Sequence, residues 1–255
     1  MTAVSATEAP GQDTLRDKLV SGVLWAAGAA WLGGMLSVLM LVQLFVPADR
    51  VDWLARLYCR GQVWLTGSRW RAVLHPDVDP DTPYLFVQNH VNHFDHVTCY
   101  PATPHFKQGI ELEEHFGIPL YGWFMKQRGT IGVSRGARGQ LRKLKRAFAA
   151  ELARGHSLLA FPEGTRTLDG RVGTFHHGLL YLARELGVPI VPVAVTGMYA
   201  VMHKGSLLIR PGHEVTVYVE APVPTEGLSK EDLPALAEQL HATISGRVDA
   251  WWASR

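Results

Sequence analysis

From Leu19 to Val46 the chain carries no charged residue. As one helix this run would be about 42 Å long, more than the ~30 Å hydrocarbon core of a bilayer requires. Arg16 and Lys18 precede it, and Asp49 and Arg50 follow it. The run is too long for the core of a secretory leader, and Glu8, Asp13 and Asp17 are wrong for the basic region that opens one. A single domain rarely hides every face of so long a helix, so a membrane segment is expected. Gly33-Gly34 near its middle would permit a kink or a re-entrant bend. Beyond it, Val51, Leu54, Leu57 and Tyr58 recur at helical spacing with Asp52, Arg56 and Arg60 between them, and Trp53 and Trp64 flank the stretch. That is the pattern of an amphipathic helix lying in the membrane interface.

The chain of 255 residues then divides into a polar, disordered terminus over 1–18, a membrane anchor over 19–62 and one domain over 63–255. About 200 residues outside the apolar run are enough for a single well-buried core. A net charge of +2 and a pI near 8.6 are too mild to argue for nucleic acid. Only 19% of residues are charged and eight are tryptophan, a balance that fits contact with lipid. Cys59 and Cys99 make no disulfide framework, so a reducing compartment is the default, and Cys99 reads as a packing residue rather than a nucleophile.

Within the domain, residues 63–74 read as one or two strands interrupted at Gly67-Ser68, and the stretch from Pro76 to Pro83 as a turn-rich loop. Tyr84 to Val87 is a short buried strand, and 106–128 a helical and loop region punctuated by Pro and Gly. Gly129 to Val133 predicts a strand and Arg138 to Leu152 an amphipathic helix, with Leu141, Leu144, Phe148 and Leu152 on one face. The basic cluster Arg142, Lys143, Lys145 and Arg146 is either a solvated face or a contact for anionic headgroups or donor phosphates. Strands are expected at Ser157–Phe161, Ile190–Val195, Leu207–Arg210 and Val215–Val219, and helices at Gly178–Leu186 and beyond Ser229. Strands alternating with helices imply an α/β sandwich with a mostly parallel or mixed sheet.

The chemistry is concentrated where the Tyr84–Val87 strand ends, in Asn89-His90-Val91-Asn92-His93-Phe94-Asp95-His96. Imidazole titrates near neutrality, and a carboxylate on its second nitrogen fixes the tautomer and stabilises the imidazolium. On a continuous helix, positions five apart lie about 140° apart, not on one face. His90 must therefore sit in the turn leaving the strand, with Asp95 in or near the first helical turn reaching back to it. An isolated pair of this kind is more often a structural histidine and a capping aspartate.

Three further blocks follow: Gly129-Thr130-Ile131-Gly132-Val133-Ser134-Arg135, Phe161-Pro162-Glu163-Gly164-Thr165-Arg166, and Val188 to Val195. In this order and spacing the four blocks resemble the glycerolipid acyltransferase family, whose best-known members are 1-acyl-glycerol-3-phosphate acyltransferases. The resemblance covers roughly residues 60–220, and the Phe161 block is its most specific part. It implies a family-like αβ-sandwich behind a two-helix anchor, with the domain on the cytoplasmic side of the membrane. It implies transfer of an acyl chain to lysophosphatidate to make phosphatidate, with a different lysolipid acceptor as the alternative, acyl-CoA or acyl carrier protein as donor and no cofactor or metal. It makes His90 the general base and Asp95 its partner. It puts acceptor-phosphate contacts at Arg135 and Arg166, with Lys107 as the matching lysine, and assigns Glu163 and Gly164 to substrate binding. Glu163 has loop architecture as its alternative role, and Gly164 permits a tight turn. Two departures stand out. Relatives commonly carry lysines before a glycine where this chain reads Phe175-His176-His177-Gly178, and Gly132 and Ser134 replace a larger apolar residue and an acid.

Rival readings come from other classes. Gly132-Val133-Ser134-Arg135-Gly136 matches the nucleophile-elbow pattern of serine esterases, with Asp169 and His176 following in order. A metallohydrolase pattern would need a histidine at position 91, where Val91 stands. A non-catalytic lipid-binding protein of the same fold would have no need of the His90/Asp95 pair.

Overall fold

The computed structural model describes residues 14–134 and 139–255. Arg135 and most of the expected disordered terminus lie outside the described residues. The elements in chain order are α1 (Leu15–Val42), α2 (Asp52–Leu65), β1 (Arg69–Leu74), β2 (Leu85–Gln88), α3 (Asp95–Cys99), β3 (Lys107–Leu112), α4 (Tyr121–Arg128), β4 (Ile131–Val133), α5 (Gln140–Leu152), β5 (Ser157–Ala160), α6 (His177–Leu186), β6 (Ile190–Thr196), α7 (Met198–Val201), β7 (Glu214–Val219) and α8 (Leu233–Ala253).

α1 starts four residues before the uncharged run. Thr14 accepts from the Asp17 backbone N–H while the Asp17 carboxylate accepts from the Thr14 N–H, a reciprocal cap that satisfies donors the helix leaves open. The helix continues unbroken through Gly33-Gly34, without a re-entrant turn there. It is long and apolar enough to cross a membrane, and little of its apolar surface is buried. Leu36 and Leu39, however, are fully buried against α2. The crossing is close: a Cβ on Gly61 would stand 2.4 Å from the Trp31 ring, whose Nε1 donates to the Tyr58 carbonyl at 3.0 Å.

α2 is amphipathic, but its buried face turns towards protein. Leu54, Ala55, Tyr58, Cys59 and Val63 pack on α1 and α3, while Trp53, Leu57 and Trp64 point outward. Asp52 and Arg56 are not interfacial charges. Asp52 pairs with buried Arg128 of α4, and Arg56 donates to the carbonyls of Thr103, Pro104 and His105. Anchor and domain are therefore bolted together, and the residues expected to open a strand at 63 are the last turn of α2.

The seven strands run in the order β1-β7-β6-β2-β5-β3-β4. All neighbouring pairs are parallel except β6 with β7. Two expectations fail here. β3 lies in the stretch read as helix and loop, because Lys107-Gln108-Gly109 lacks the β-branched signature of a strand. Residues 207–210 form no strand, and they pack instead against α1 through Trp25 and Ser21.

α5, α6 and α8 cover one face of the sheet. α3, α7 and the N-terminal helices cover the other. The chain leaves β2 towards one face, through α3, and leaves adjacent β5 towards the other, through α6. Diverging connections from neighbouring parallel strands open a crevice at their C-terminal ends, the usual ligand position in open α/β sheets.

Candidate active site

The loop between β2 and α3 is fixed before any substrate is considered. Asn89 extends the β2–β6 ladder with its side chain, donating to the Val195 carbonyl at 3.0 Å and accepting from the Val195 N–H at 2.8 Å. Asn92 is fully buried, accepting from the Phe94 N–H and donating to the Met202 carbonyl at 2.9 Å. Between these two pegs the backbone turns and exposes the edge of one imidazole.

His90 Nδ1 lies 2.7 Å from Asp95 Oδ2, and the same oxygen accepts the N–H groups of Val91 and Asn92. Asp95 is 1% exposed and its Oδ1 has no hydrogen-bond partner. Three donors converge on the one oxygen and fix its direction, so Nδ1 carries the ring proton and Nε2 presents its lone pair. Among the described residues Nε2 has no hydrogen bond. The arrangement expected from the five-residue spacing, His90 in the turn and Asp95 opening a helix, is the one found.

The Phe161 block is the cradle of this histidine. The Phe161 ring stacks on the imidazole, with centroids 4.2 Å apart and planes 19° from parallel. Glu163 Oε1 accepts the His90 backbone N–H at 2.7 Å, and the Thr167 N–H donates to the His90 carbonyl at 2.8 Å. Glu163 Oε2 accepts the Gly173 N–H at 2.8 Å, tying the next loop to the same carboxylate. Burial pushes the Glu163 carboxyl above its ordinary value, against the lowering effect of these two bonds. With both oxygens committed to backbone and its side chain buried, Glu163 is architecture, and its assignment to substrate binding is corrected. Gly164 turns with φ +63°, and a Cβ there would meet the His176 ring at 3.1 Å.

The candidate phosphate ligands are sorted by position. Arg166 is half-buried, and its guanidinium has no hydrogen-bond or ion-pair partner among the described residues. Its charge, after burial, helps hold the nearby His93 below its ordinary pKa. Arg135 lies outside the described residues. Lys107 is a correction. It pairs with Ser157 at the opposite end of the sheet, where Leu158 is level with Leu85. It is fully buried, with Nζ donating to the carbonyls of Tyr100 and His105 and standing 5.0 Å over the Phe86 ring. Its ammonium cannot reach an acceptor beside His90.

A cation that no sequence pattern marks stands at the Phe161 block. Lys204 Nζ donates to Thr165 Oγ1 and to the Arg166 carbonyl, each at 3.2 Å. No motif marks Lys204, and only the return of the chain after α7 brings it to the Phe161 block.

Behind the His90 loop is an apolar cavity of about 120 Å³. Leu24, Trp25 and Leu32 of α1, Phe94, Met198 and Met202 line it. A flexible methionine-rich wall suits a hydrocarbon chain.

The rivals lose their geometry. Ser134 Oγ donates to the Glu113 carboxylate, not to a histidine. Asp169 accepts from Thr167 Oγ1 and the Arg171 N–H, caught in its own turn. Burial pushes the Cys99 thiol up to about 11, so it is no thiolate near neutrality. Among the described residues no three His, Cys, Asp or Glu side chains are grouped to hold a metal.

Comparison with known proteins gives the same reading. The model of a family described as acyltransferase matches residues 72–196. A lyso-ornithine lipid O-acyltransferase of Pseudomonas aeruginosa is 32% identical over 175 residues, which cover 63% of this chain and 67% of that protein. The chain belongs to the acyltransferase family. A chloroplastic 1-acyl-sn-glycerol-3-phosphate acyltransferase of Arabidopsis thaliana is 36% identical over 144 residues, 56% of this chain. The match spans only 40% of that plant protein, and 41% of a Brassica napus counterpart that is 35% identical. Among solved structures, the 1-acyl-sn-glycerophosphate acyltransferase of Thermotoga maritima superposes with a TM-score of 0.78. That match covers 92% of this chain and 96% of that one at 21% identity, a likeness of fold. The His90 and Phe161 blocks of this acyltransferase-family chain meet at the C-terminal end of β2, with the β6 block alongside, whereas the second block forms edge strand β4 and runs on outside the described residues.

Proposed function

We propose that the protein is a 1-acyl-sn-glycerol-3-phosphate O-acyltransferase, moving an acyl chain from a CoA or acyl-carrier-protein thioester to lysophosphatidate to give phosphatidate. The observation that carries this reading is the His90–Asp95 pair at 2.7 Å, with Nε2 and the Arg166 guanidinium both without a hydrogen-bond partner among the described residues. His90 Nε2 takes the proton of the acceptor hydroxyl as the oxygen attacks the thioester carbonyl carbon. Asp95 stabilises the imidazolium that forms. The C–S bond then breaks, the new ester forms, and the thiolate takes its proton from the imidazolium. No acyl-enzyme is needed, because the acceptor is itself the nucleophile. Arg166 supports the phosphate, since a planar guanidinium matches phosphate oxygens two at a time. The apolar cavity behind Phe94 supports an acyl chain.

The chain acts from a membrane surface with its domain on the cytoplasmic side, and α1 enters the bilayer without crossing it. Supporting a monotopic anchor, α1 is docked on the domain from Ser21, bonded to Ile209, to Met40, whose carbonyl accepts from Gln127. That is about 28 Å of helix, nearly a full hydrocarbon core, fastened along the domain.

A second reading is a different lysolipid acceptor. It is favoured by the similarity to the lyso-ornithine lipid enzyme and by exposed His176 and His177 where relatives carry lysines. Acyl transfer by purified protein from a thioester to a panel of lysolipids tests both. Thiol release that depends on lysophosphatidate and is lost in His90→Ala supports the first reading. Release only with another lysolipid keeps the mechanism and moves the acceptor. Ester hydrolysis without transfer overturns both.

A further inference from the structure

We propose that Lys204 is the second phosphate-binding cation of the acceptor site, taking with Arg166 the charge that His176 and His177 do not supply. The proposal rests on the lysophosphatidate reading above and deepens it by naming what recognises the phosphate monoester.

A phosphate monoester carries about −1.5 to −2 charges near pH 7, more than one guanidinium balances. Histidines at 176 and 177 add little charge at that pH. The Lys204 ammonium does add one, and it is fixed. Two of its three N–H donors go to Thr165 Oγ1 and the Arg166 carbonyl, which leaves one for a ligand. Those two partners are the Arg166 backbone and the residue before it, so the ammonium is held to the turn from which the Arg166 side chain springs.

The segment bearing Lys204 also matches the shape of a lysolipid. Met202, two residues earlier, lines the apolar cavity, and its carbonyl holds Asn92 of the His90 loop. Leu207 and Ile209, just after it, are hydrogen-bonded to Trp25 and Ser21 of α1. Running from α1 past the cavity to the His90 loop, the segment lies along the route of a lipid entering from the membrane. Its one lysine stands where the headgroup would stop.

The test compares the full-length protein with Lys204→Met and Lys204→Arg, in mixed micelles, using lysophosphatidate as acceptor and glycerol 3-phosphate as a water-soluble competitor. Loss of one charge-assisted phosphate contact should raise KM for lysophosphatidate about tenfold with kcat changed by less than about twofold in Lys204→Met. Inhibition by glycerol 3-phosphate should weaken by the same factor, and Lys204→Arg should recover most of both. Unchanged KM and inhibition in Lys204→Met would overturn the proposal while leaving the acceptor reading intact. A rise in KM for the thioester donor of the same size would also overturn it, by assigning Lys204 to loop integrity. Failure of the wild type itself to use lysophosphatidate would sink the acceptor reading, and this proposal with it.

Discussion

At the scale of the residue, His90 is held by four groups from two parts of the chain. Asp95 takes its Nδ1, Phe161 covers its ring, Glu163 takes its N–H, and Thr167 donates to its carbonyl. Removing the base in His90→Ala should lower kcat by about 10²–10⁴ with the fold intact by circular dichroism. Asp95→Asn keeps an acceptor for the Val91 and Asn92 N–H groups but no longer fixes the tautomer, so kcat should fall about a hundredfold or more. Glu163→Gln separates cradle from ligand. A glutamine has one acceptor where two backbone N–H groups need one each, so it leaves a buried donor unpaired at a cost of about 1–3 kcal/mol. Lower thermal stability and lower kcat with an unmoved acceptor KM are expected; a selective rise in KM would return Glu163 to the substrate.

At the scale of the element, α1 is both anchor and wall. Deleting residues 1–48 should release the protein from membranes, which sedimentation with vesicles measures. It should also strip one side of the cavity, because Leu24, Trp25 and Leu32 leave with it. Retained acyl-chain preference in the truncated protein would refute that second role. α8 acts from the other side. Its Trp252 Nε1 donates to the Gly170 carbonyl at 3.1 Å, and Tyr199 of α7 donates to the Leu168 carbonyl at 2.7 Å, so the loop that follows Arg166 is braced by both helices.

At the scale of the whole molecule, the interior pays for one ammonium. Burial brings Lys107 from 10.5 down to about 8. Below about 8, folded and unfolded chains both hold the proton, and the folded state carries the full penalty, about 3 kcal/mol at the ~1.4 kcal/mol of each pKa unit. Between about 8 and 10.5 only the unfolded chain stays protonated, so stability rises with pH; above that the penalty is gone. The difference in stability between wild type and Lys107→Met should therefore shrink across this window, with Lys107→Met the more stable below it. Its acceptor KM should equal that of wild type. Cys99 and Cys59, raised by burial and partly lowered by Lys107, act oppositely in the same range.

The sequence by itself determined what is local and periodic. The uncharged run gave a long helix, the apolar alternations most strands, and the five-residue spacing from His90 to Asp95 a turn followed by a helix. Those features depend on neighbours a few positions apart, and a pattern records them. Only the tertiary structure decided what depends on which ends and faces meet. Lys107 and Lys204 look alike as single lysines. Parallel pairing with β5 carries the first to the far end of the sheet, whereas the return after α7 brings the second to Arg166. Glu163 reads as a ligand in its motif, yet both its oxygens are taken by backbone N–H groups 73 and 10 residues away. α2 has the periodicity of an interfacial helix, but its stripe faces α1 and α3, because an amphipathic pattern specifies an apolar contact without naming the partner.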